Sequence, residues 1–325
     1  MNRIEYIDYL KGLCIISVVM LHVLDINQGQ NTVLIKILDI FQMPIFFFLS
    51  GLFAFKKDIY NTKTIMSLIK TKTITLLLPF IFVGSTYTII SKKSILDNLL
   101  FSNMHNGYWF IWVLFIMFLI VSIVQIINSI LNPQKKIIIH TGIFILIYLG
   151  IIFIYIFFSQ TLFYHFFSIP QICRYIIFFF FGILYSKYEQ VRILFSNQYT
   201  QFLSIILAVL LGMAYYNTHI TFIKLLSRLF SVIVLFNIIK QNKESLILNK
   251  YISYIGKKSL SIYVLHYFLI FDLHFDWLIN IYSNISCTFF IVCILSIAIT
   301  IATLLLDLLI SSSSILSFLF IGKKK

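Results

Sequence analysis

Long apolar runs separated by short polar segments fill this chain from end to end. The runs lie near 10–27, 34–55, 73–91, 108–131, 137–158, 171–186, 201–217, 221–240, 260–281 and 285–310. A helix needs about 20 apolar residues to cross the hydrocarbon core of a bilayer. The pattern predicts an all-α polytopic integral membrane protein of about ten transmembrane helices around a central polar cavity. We expect one membrane domain over residues 1–325 and no separate soluble domain.

Basic residues between the runs predict the orientation in the membrane. Most of the 25 lysines and arginines fall in the segments that share one side with the N-terminus, and the opposite side holds Lys36, Lys92 and Lys93. Cytosolic segments of membrane proteins are enriched in Lys and Arg. Ten spans with this bias predict that both the N- and C-termini are cytosolic.

Composition narrows the possible partners. Hydrophobic residues make up 60% of the chain and charged residues 11%, whereas a soluble chain carries roughly a quarter charged residues. The net charge of +14 lies mostly in short loops, which indicates attraction to anionic membrane lipids and no nucleic-acid partner. The four cysteines lie in apolar stretches without a C-x-x-C pair, so we expect no metal.

The first apolar run carries a polar stripe. Lys11 and His22 are 11 residues apart, which is about 1,100° of helical rotation and roughly 16 Å along the axis, so they share one face. Asp8 and Asp25 lie three residues to either side of the pair. A neutral imidazole can take a proton from a hydroxyl, and a lysine near the cytosol can bind phosphate. The alternative is a structural histidine beside a lysine that extends to the interface.

Further motifs follow in order along the chain. Residues 7–12 read Ile-Asp-Tyr-Leu-Lys-Gly, and residues 43–51 read Met-Pro-Ile-Phe-Phe-Phe-Leu-Ser-Gly. A Trp-Phe pair opens a run at residue 109, and residues 259–266 read Ser-Leu-Ser-Ile-Tyr-Val-Leu-His. With the basic-x10-His pair, these features resemble the membrane-bound acyltransferase 3 family from residue 5 to about 270. Within that family, the chain is similar to O-acetyltransferases of bacterial surface sugars and to fucose 4-O-acetylase-like proteins.

The resemblance implies a reaction and a location. It implies acetyl-CoA as a co-substrate from the cytosol, and an acceptor hydroxyl on a cell-surface glycan or lipid-linked sugar precursor. It implies a multi-pass protein of the bacterial inner or plasma membrane. His22 would be the catalytic residue and Lys11 its partner, with Asp25 or Asp8 assisting.

Basic candidates for the acetyl-CoA phosphates follow from the same resemblance. Lys70 and Lys72 stand where the family often has arginines before a Leu-Pro motif. Lysine keeps the charge but loses the two-pronged geometry of arginine. Arg174 and Arg228 are further candidates for binding CoA or an anionic acceptor on a different ground, because they lie in or at the edge of apolar runs; extension to the interface is the alternative. Arg228 shares a helix face with Lys224.

Five residues are candidates for substrate binding: Gln42, Ser50, Trp109, Tyr263 and His266. Gln42 stands where relatives often have histidine before Met-Pro. Each of three has a structural alternative. Ser50 with Gly51 can serve close helix packing, Trp109 can anchor the helix at the membrane interface, and His266 can be a structural histidine. The spacing of Asp272, His274 and Asp276 is poor for holding one metal ion, and acceptor binding or a solvated rim remain open.

Two mechanisms and three functions remain open. His22 acts as a general base or carries the acetyl group itself. Instead of acyl transfer, a polytopic chain with buried charges also suits a transporter or flippase of glycan precursors, or a non-catalytic glycan-binding partner. Transporters commonly have two related halves, and the later half contains no second copy of Lys11/His22 or Met43-Pro44. The oligomeric state also remains open.

Overall fold

A computed structural model describes residues 5–30, 32–54, 62–131, 137–241 and 249–323. Several basic residues used to predict the orientation lie outside the described residues: Arg3, Lys56, Lys57, Lys135, Lys136, Lys243, Lys324 and Lys325.

The described residues form helices joined by short turns, with no strand among them. The α-helices are α1 (Glu5–Ile26), α2 (Val33–Leu52), α3 (Thr62–Lys72), α4 (Leu78–Ile90), α5 (Trp109–Leu131), α6 (Ile137–Phe157), α7 (Leu162–Phe166), α8 (Ile169–Lys187), α9 (Glu189–Ser196), α10 (Gln198–Thr218), α11 (Thr221–Gln241), α12 (Asn249–Lys257), α13 (Ser259–Ile270), α14 (Ile285–Ser312) and α15 (Ser314–Leu316). Short π turns cover Thr73–Leu77, Ile95–Leu100 and Ser317–Ile321, and 3-10 turns cover His105–Gly107 and Asp276–Ile281.

Within the described part of the chain, nine helices are long and apolar enough to cross a membrane. The predicted all-α, multi-pass class is therefore confirmed. The predicted span 260–281 differs from the structure, because α13 ends at Ile270 after 12 residues. The polar residues Asp272, His274 and Asp276 follow it, and they interrupt the apolar run that the prediction treated as one helix. Helical structure instead extends toward the N-terminus of this run through α12.

The chain divides into two compact units, and each is described by itself. Unit 1 comprises Met1–Phe46 and Ile193–Leu309, and unit 2 comprises Phe47–Arg192 and Ile310–Lys325. The expectation of a single domain over the whole chain stays a prediction.

In unit 1, two glycines let α1 and α12 approach closely. A Cβ on Gly12 would overlap the backbone carbonyl of Ile252, and a Cβ on Gly256 would overlap the carbonyl of Asp8. Small residues allow this backbone approach between helices in membranes. Lys258 alone separates α12 from α13, so the contact with α1 also fixes where α13 begins.

An ion pair holds the junction between α12 and α13. The Lys258 ammonium contacts the carboxylate of Asp307, which lies fully buried on α14. An unpaired charge is costly inside a membrane. The pair therefore stabilises both the buried carboxylate and the junction.

In unit 2, helical turns adjust to proline. The π turn Thr73–Leu77 leads directly into α4, whose second residue is Pro79, and the Leu78 N–H donates to the Thr73 carbonyl. Proline clashes with the carbonyl four residues earlier in a regular α-helix. The wider turn removes that conflict, so apolar helix continues from residue 64 to 90.

A buried histidine in unit 2 ties a loop to the start of α8. His105 Nδ1 lies 2.5 Å from the Leu99 carbonyl, and His105 Nε2 lies 2.6 Å from Ser168 Oγ. A carbonyl only accepts, so Nδ1 donates to Leu99, and the Ser168 hydroxyl lies within hydrogen-bond distance of both His105 Nε2 and the Asn103 carbonyl, which is 3.0 Å away. Burial lowers the pKa of His105 to about 4.

We expect Gly256→Ala to prevent α12 from docking on α1. The added Cβ would overlap backbone, which cannot move as a flexible side chain does, and the expected loss is about 3 kcal/mol or misfolding. Gly150→Ala on α6 is the control, because nothing lies within 4 Å of its Cβ position. Thermal unfolding in detergent should show a lower midpoint for Gly256→Ala and no loss for Gly150→Ala. Equal midpoints would contradict the close contact.

We expect the protein to lose stability as the pH falls from about 6.5 toward 4. The folded state keeps His105 neutral by lowering its pKa to about 4, whereas the unfolded chain takes up the proton near pH 6.5. The stabilising contribution, about 3 kcal/mol, is present above pH 6.5 and lost on acidification. Denaturation midpoints measured across this range should depend less on pH in His105→Asn. An unchanged slope in that variant would sink the assignment.

Candidate active site

His22 lies near the end of α1 with its side chain partly exposed. Lys11 is on the same helix, roughly 16 Å earlier along the axis, and Asp8 is buried about 21 Å earlier. Asp25 is exposed, one turn beyond His22. These helical distances exclude direct contact of Lys11 or Asp8 with the imidazole, so Asp25 is the nearer of the two carboxylates.

A tyrosine from α13 meets His22. The Tyr267 hydroxyl lies 3.0 Å from His22 Nε2, and the two ring centroids are 4.9 Å apart. The hydroxyl can donate to this nitrogen or accept from it, depending on the tautomer. Either arrangement restrains the rotation of the imidazole.

A second histidine on α13 packs beside the first. The ring centroid of His266 is 5.3 Å from that of His22 and 5.9 Å from that of Tyr263. His266 is fully buried, and its Nδ1 donates to the Ile262 carbonyl at 3.0 Å. Its Nε2 is therefore an acceptor, and it has no hydrogen-bond partner among the described residues. We call His22, Tyr263, His266 and Tyr267 the His22 cluster.

The His22 cluster has the groups that proton transfer requires. A neutral imidazole is a good proton acceptor near neutral pH. His22 is partly exposed, whereas His266 is enclosed, so a reacting hydroxyl can reach His22 more readily. The cluster therefore combines an accessible base, His22, with the hydrogen-bond acceptor atom Nε2 of His266 and two tyrosine rings.

The four candidates for CoA phosphates fall in different units. In unit 2, Lys70 is exposed at the end of α3, Lys72 lies 4.0 Å from the Phe118 ring centroid, and Arg174 is exposed on α8. In unit 1, Arg228 is buried and bonds Asp39 at 2.8 Å. Their role in binding CoA stays a prediction.

The substrate-binding candidates also separate by unit. Tyr263 and His266 belong to the His22 cluster. Gln42 is buried on α2 in unit 1, and its Oε1 has no hydrogen-bond partner in the described part of the chain.

The two remaining candidates lie in unit 2. Ser50 is partly exposed next to Gly51, which packs against Gly182. Trp109 is buried and stacks on Tyr175, with centroids 5.3 Å apart. These contacts give Trp109 a packing role in unit 2, and its role in substrate binding stays a prediction.

Asp272, His274 and Asp276 are exposed after the end of α13. Within the residues that the structure describes, no group of three acidic, histidine or cysteine side chains can hold a metal ion. A solvated rim is the simplest account of the three side chains.

Sequence reasoning missed two important residues. Tyr267 directly follows His266, and its position four residues after Tyr263 on one helix face was the available signal. Asp39 bonds both Lys224, at 2.5 Å, and Arg228. The sequence did show that Asp39 is a lone carboxylate inside an apolar run, and such a charge is costly in a membrane without a partner.

Comparison with known protein families identifies the chain. The acyltransferase 3 family model, described as an acyltransferase domain, matches residues 4–305. The chain matches none of the curated proteins and none of the solved structures compared with it. The family match includes α1 with Lys11 and His22, and α13 with His266 and Tyr267. This chain therefore belongs to the acyltransferase 3 family of membrane proteins.

Proposed function

We propose that this protein transfers an acetyl group from acetyl-CoA to a hydroxyl of a bacterial cell-surface glycan or lipid-linked sugar precursor. Family membership supports acyl transfer in general. The observation that carries the proposal is the partly exposed His22 on a membrane-crossing helix, with its Nε2 3.0 Å from the Tyr267 hydroxyl. We place the protein in the bacterial inner or plasma membrane with both termini cytosolic.

In this mechanism, His22 is the general base. It takes the proton of the acceptor hydroxyl while the hydroxyl oxygen attacks the thioester carbonyl. Collapse of the tetrahedral intermediate breaks the C–S bond, and the CoA thiolate takes the proton back from the imidazolium. In the alternative, His22 attacks first and carries the acetyl group before the sugar hydroxyl accepts it.

The donor would approach from the Lys11 end of α1. Lys11 is roughly 16 Å from His22 along the helix axis, a distance that an extended thioester arm can span between a phosphate at Lys11 and the carbonyl at His22. In unit 2, taken by itself, the exposed Lys70 and the partly exposed Lys72 stay candidates for binding a CoA phosphate because of their charge.

His266 would bind the acceptor sugar once the side chains that enclose it move aside, because it is fully buried as the structure stands. Its Nε2 is a buried acceptor without a partner among the described residues, and leaving such a group unsatisfied costs about 1–3 kcal/mol. A second sugar hydroxyl that donates to this atom would recover that energy and hold the reacting hydroxyl near His22. Tyr267 then acts as a positioning residue, because its hydroxyl restrains the imidazole.

We expect His22→Ala to lower acetyl transfer by about 10²- to 10⁴-fold, the usual contribution of a general base. The assay follows labelled acetyl from acetyl-CoA into surface glycan with purified protein in membranes. His165→Ala, at a partly exposed histidine on α7 in unit 2, is the matched control. Undiminished transfer by His22→Ala would overturn the mechanism. Loss of glycan export without loss of acetylation would favour a transporter.

We expect Tyr267→Phe to reduce kcat about tenfold, since it removes one hydrogen bond to the imidazole and keeps the ring. KM for acetyl-CoA should stay the same, because the donor does not contact this hydroxyl in our mechanism. Tyr251→Phe, at a tyrosine 73% exposed on α12, is the control. A raised KM with unchanged kcat would be inconsistent with a positioning role.

A further inference from the structure

Two cations share one carboxylate in unit 1. Asp39 on α2 lies 2.5 Å from Lys224 Nζ and 2.8 Å from Arg228 Nη2, both on α11, and each cation takes a different carboxylate oxygen. The Arg228 side chain is 6% exposed, whereas those of Lys224 and Asp39 are 23% and 28% exposed. One negative charge therefore faces two positive charges at a site that is still open to a ligand.

A third cation lies one turn earlier on α2. The Lys36 ammonium is 4.2 Å from the Tyr216 ring centroid, and the Lys224 ammonium is 5.0 Å from the Tyr215 ring centroid. Aromatic rings attract ammonium groups without neutralising them. We call Lys36, Asp39, Lys224 and Arg228 the Lys36 cluster. Its three cations and one carboxylate carry a net positive charge.

The Lys36 cluster lies at the same end of unit 1 as His22. The Gly29 N–H donates to the Leu24 carbonyl at 2.7 Å in the turn between α1 and α2, so the end of α1 and the start of α2 share one side. His22 lies about 6 Å before the end of α1, and Asp39 and Arg228 lie about 10 Å from the starts of their helices. The cations and the imidazole are therefore at similar depth.

That depth suits a phosphate attached to a lipid anchor. Lysine and arginine form charge-assisted hydrogen bonds with phosphate oxygens. An apolar anchor can stay in the membrane while its phosphate reaches cations about 10 Å inside the helix ends. With the N-terminus cytosolic, as the basic residues predict, this end faces away from the cytosol, and a CoA phosphate would have to cross the membrane to reach it.

The geometry points to the Lys36 cluster as a binding site for the phosphate groups of a lipid-linked glycan acceptor, which holds its sugar beside His22. This inference rests on the proposed function for the identity of the acceptor. It assigns Arg228 to the acceptor and not to CoA. It also gives Asp39 a role, because the carboxylate keeps Lys224 and Arg228 side by side until phosphate binds.

The test measures binding of farnesyl diphosphate, a short lipid diphosphate, to the purified full chain in detergent. Lys36→Gln and Lys224→Gln should each weaken binding about tenfold, the equivalent of one lost charge-assisted hydrogen bond. Both variants leave the bond between Arg228 and Asp39 in place, so the fold should persist. Lys250→Gln, at an exposed lysine on α12, is the matched control and should bind like the wild type.

Three results would overturn the inference. The first is equal affinity for farnesyl diphosphate in the two cluster variants and the wild type. The second is that the uncharged alcohol farnesol binds as tightly as farnesyl diphosphate, and the third is that phosphatidylglycerol binds more tightly than farnesyl diphosphate. The last result would assign the cations to bilayer headgroups. His22→Ala should bind the diphosphate normally, since His22 is not part of the Lys36 cluster. If the protein binds the diphosphate at these cations but does not transfer acetyl groups, the proposed function is wrong and the binding site still stands.

Discussion

The close contact between α1 and α12 is the constraint on which the candidate active site depends. Gly12 and Gly256 bring the two backbones together, and α13 begins at Ser259, three residues after Gly256. The position of α13 relative to α1 then follows, and with it the meeting of Tyr267 and His266 with His22. Gly12 lies in the 7–12 motif that carries the family resemblance, and Gly256 lies three residues before the 259–266 motif. Their role is to set the distance between α1 and α12, and His22 is the residue that we propose for proton transfer.

Charge inside unit 1 is handled in two different ways. Lys258 and Asp307 form a pair at a helix junction, with the carboxylate fully buried, and this arrangement suits a fixed structural joint. Asp39 is more exposed and is shared by two cations, which leaves positive charge for a ligand. An ionisable residue in a membrane helix therefore indicates that the residue has a role, but it does not show whether that role is structural or ligand binding.

Sequence patterns predicted the features that depend on one helix alone, namely its position in the chain and the residues that share its face. Of the ten spans that apolar run length predicted, nine are helices long enough to cross a membrane within the described residues, and Lys11 and His22 lie on one helix as predicted. Partners on other helices were not predictable in this way, because Tyr267 is 245 residues from His22 and Asp39 is 189 residues from Arg228. Run length also failed at 260–281, because hydropathy counts apolar residues and does not detect where the backbone leaves the helix after Ile270.

The early end of α13 has a consequence for water. Backbone that leaves a helix at membrane depth must be bonded by protein or line a wet cavity. Asn27 meets part of this need, since its side chain bonds Leu273 and Phe275. Asn27 follows His22 by little more than one turn, so in the proposed reaction water at this polar segment would compete with the acceptor sugar for the thioester. In that reaction, the yield of acetylated product per acetyl-CoA consumed would depend on how well the bound acceptor excludes water.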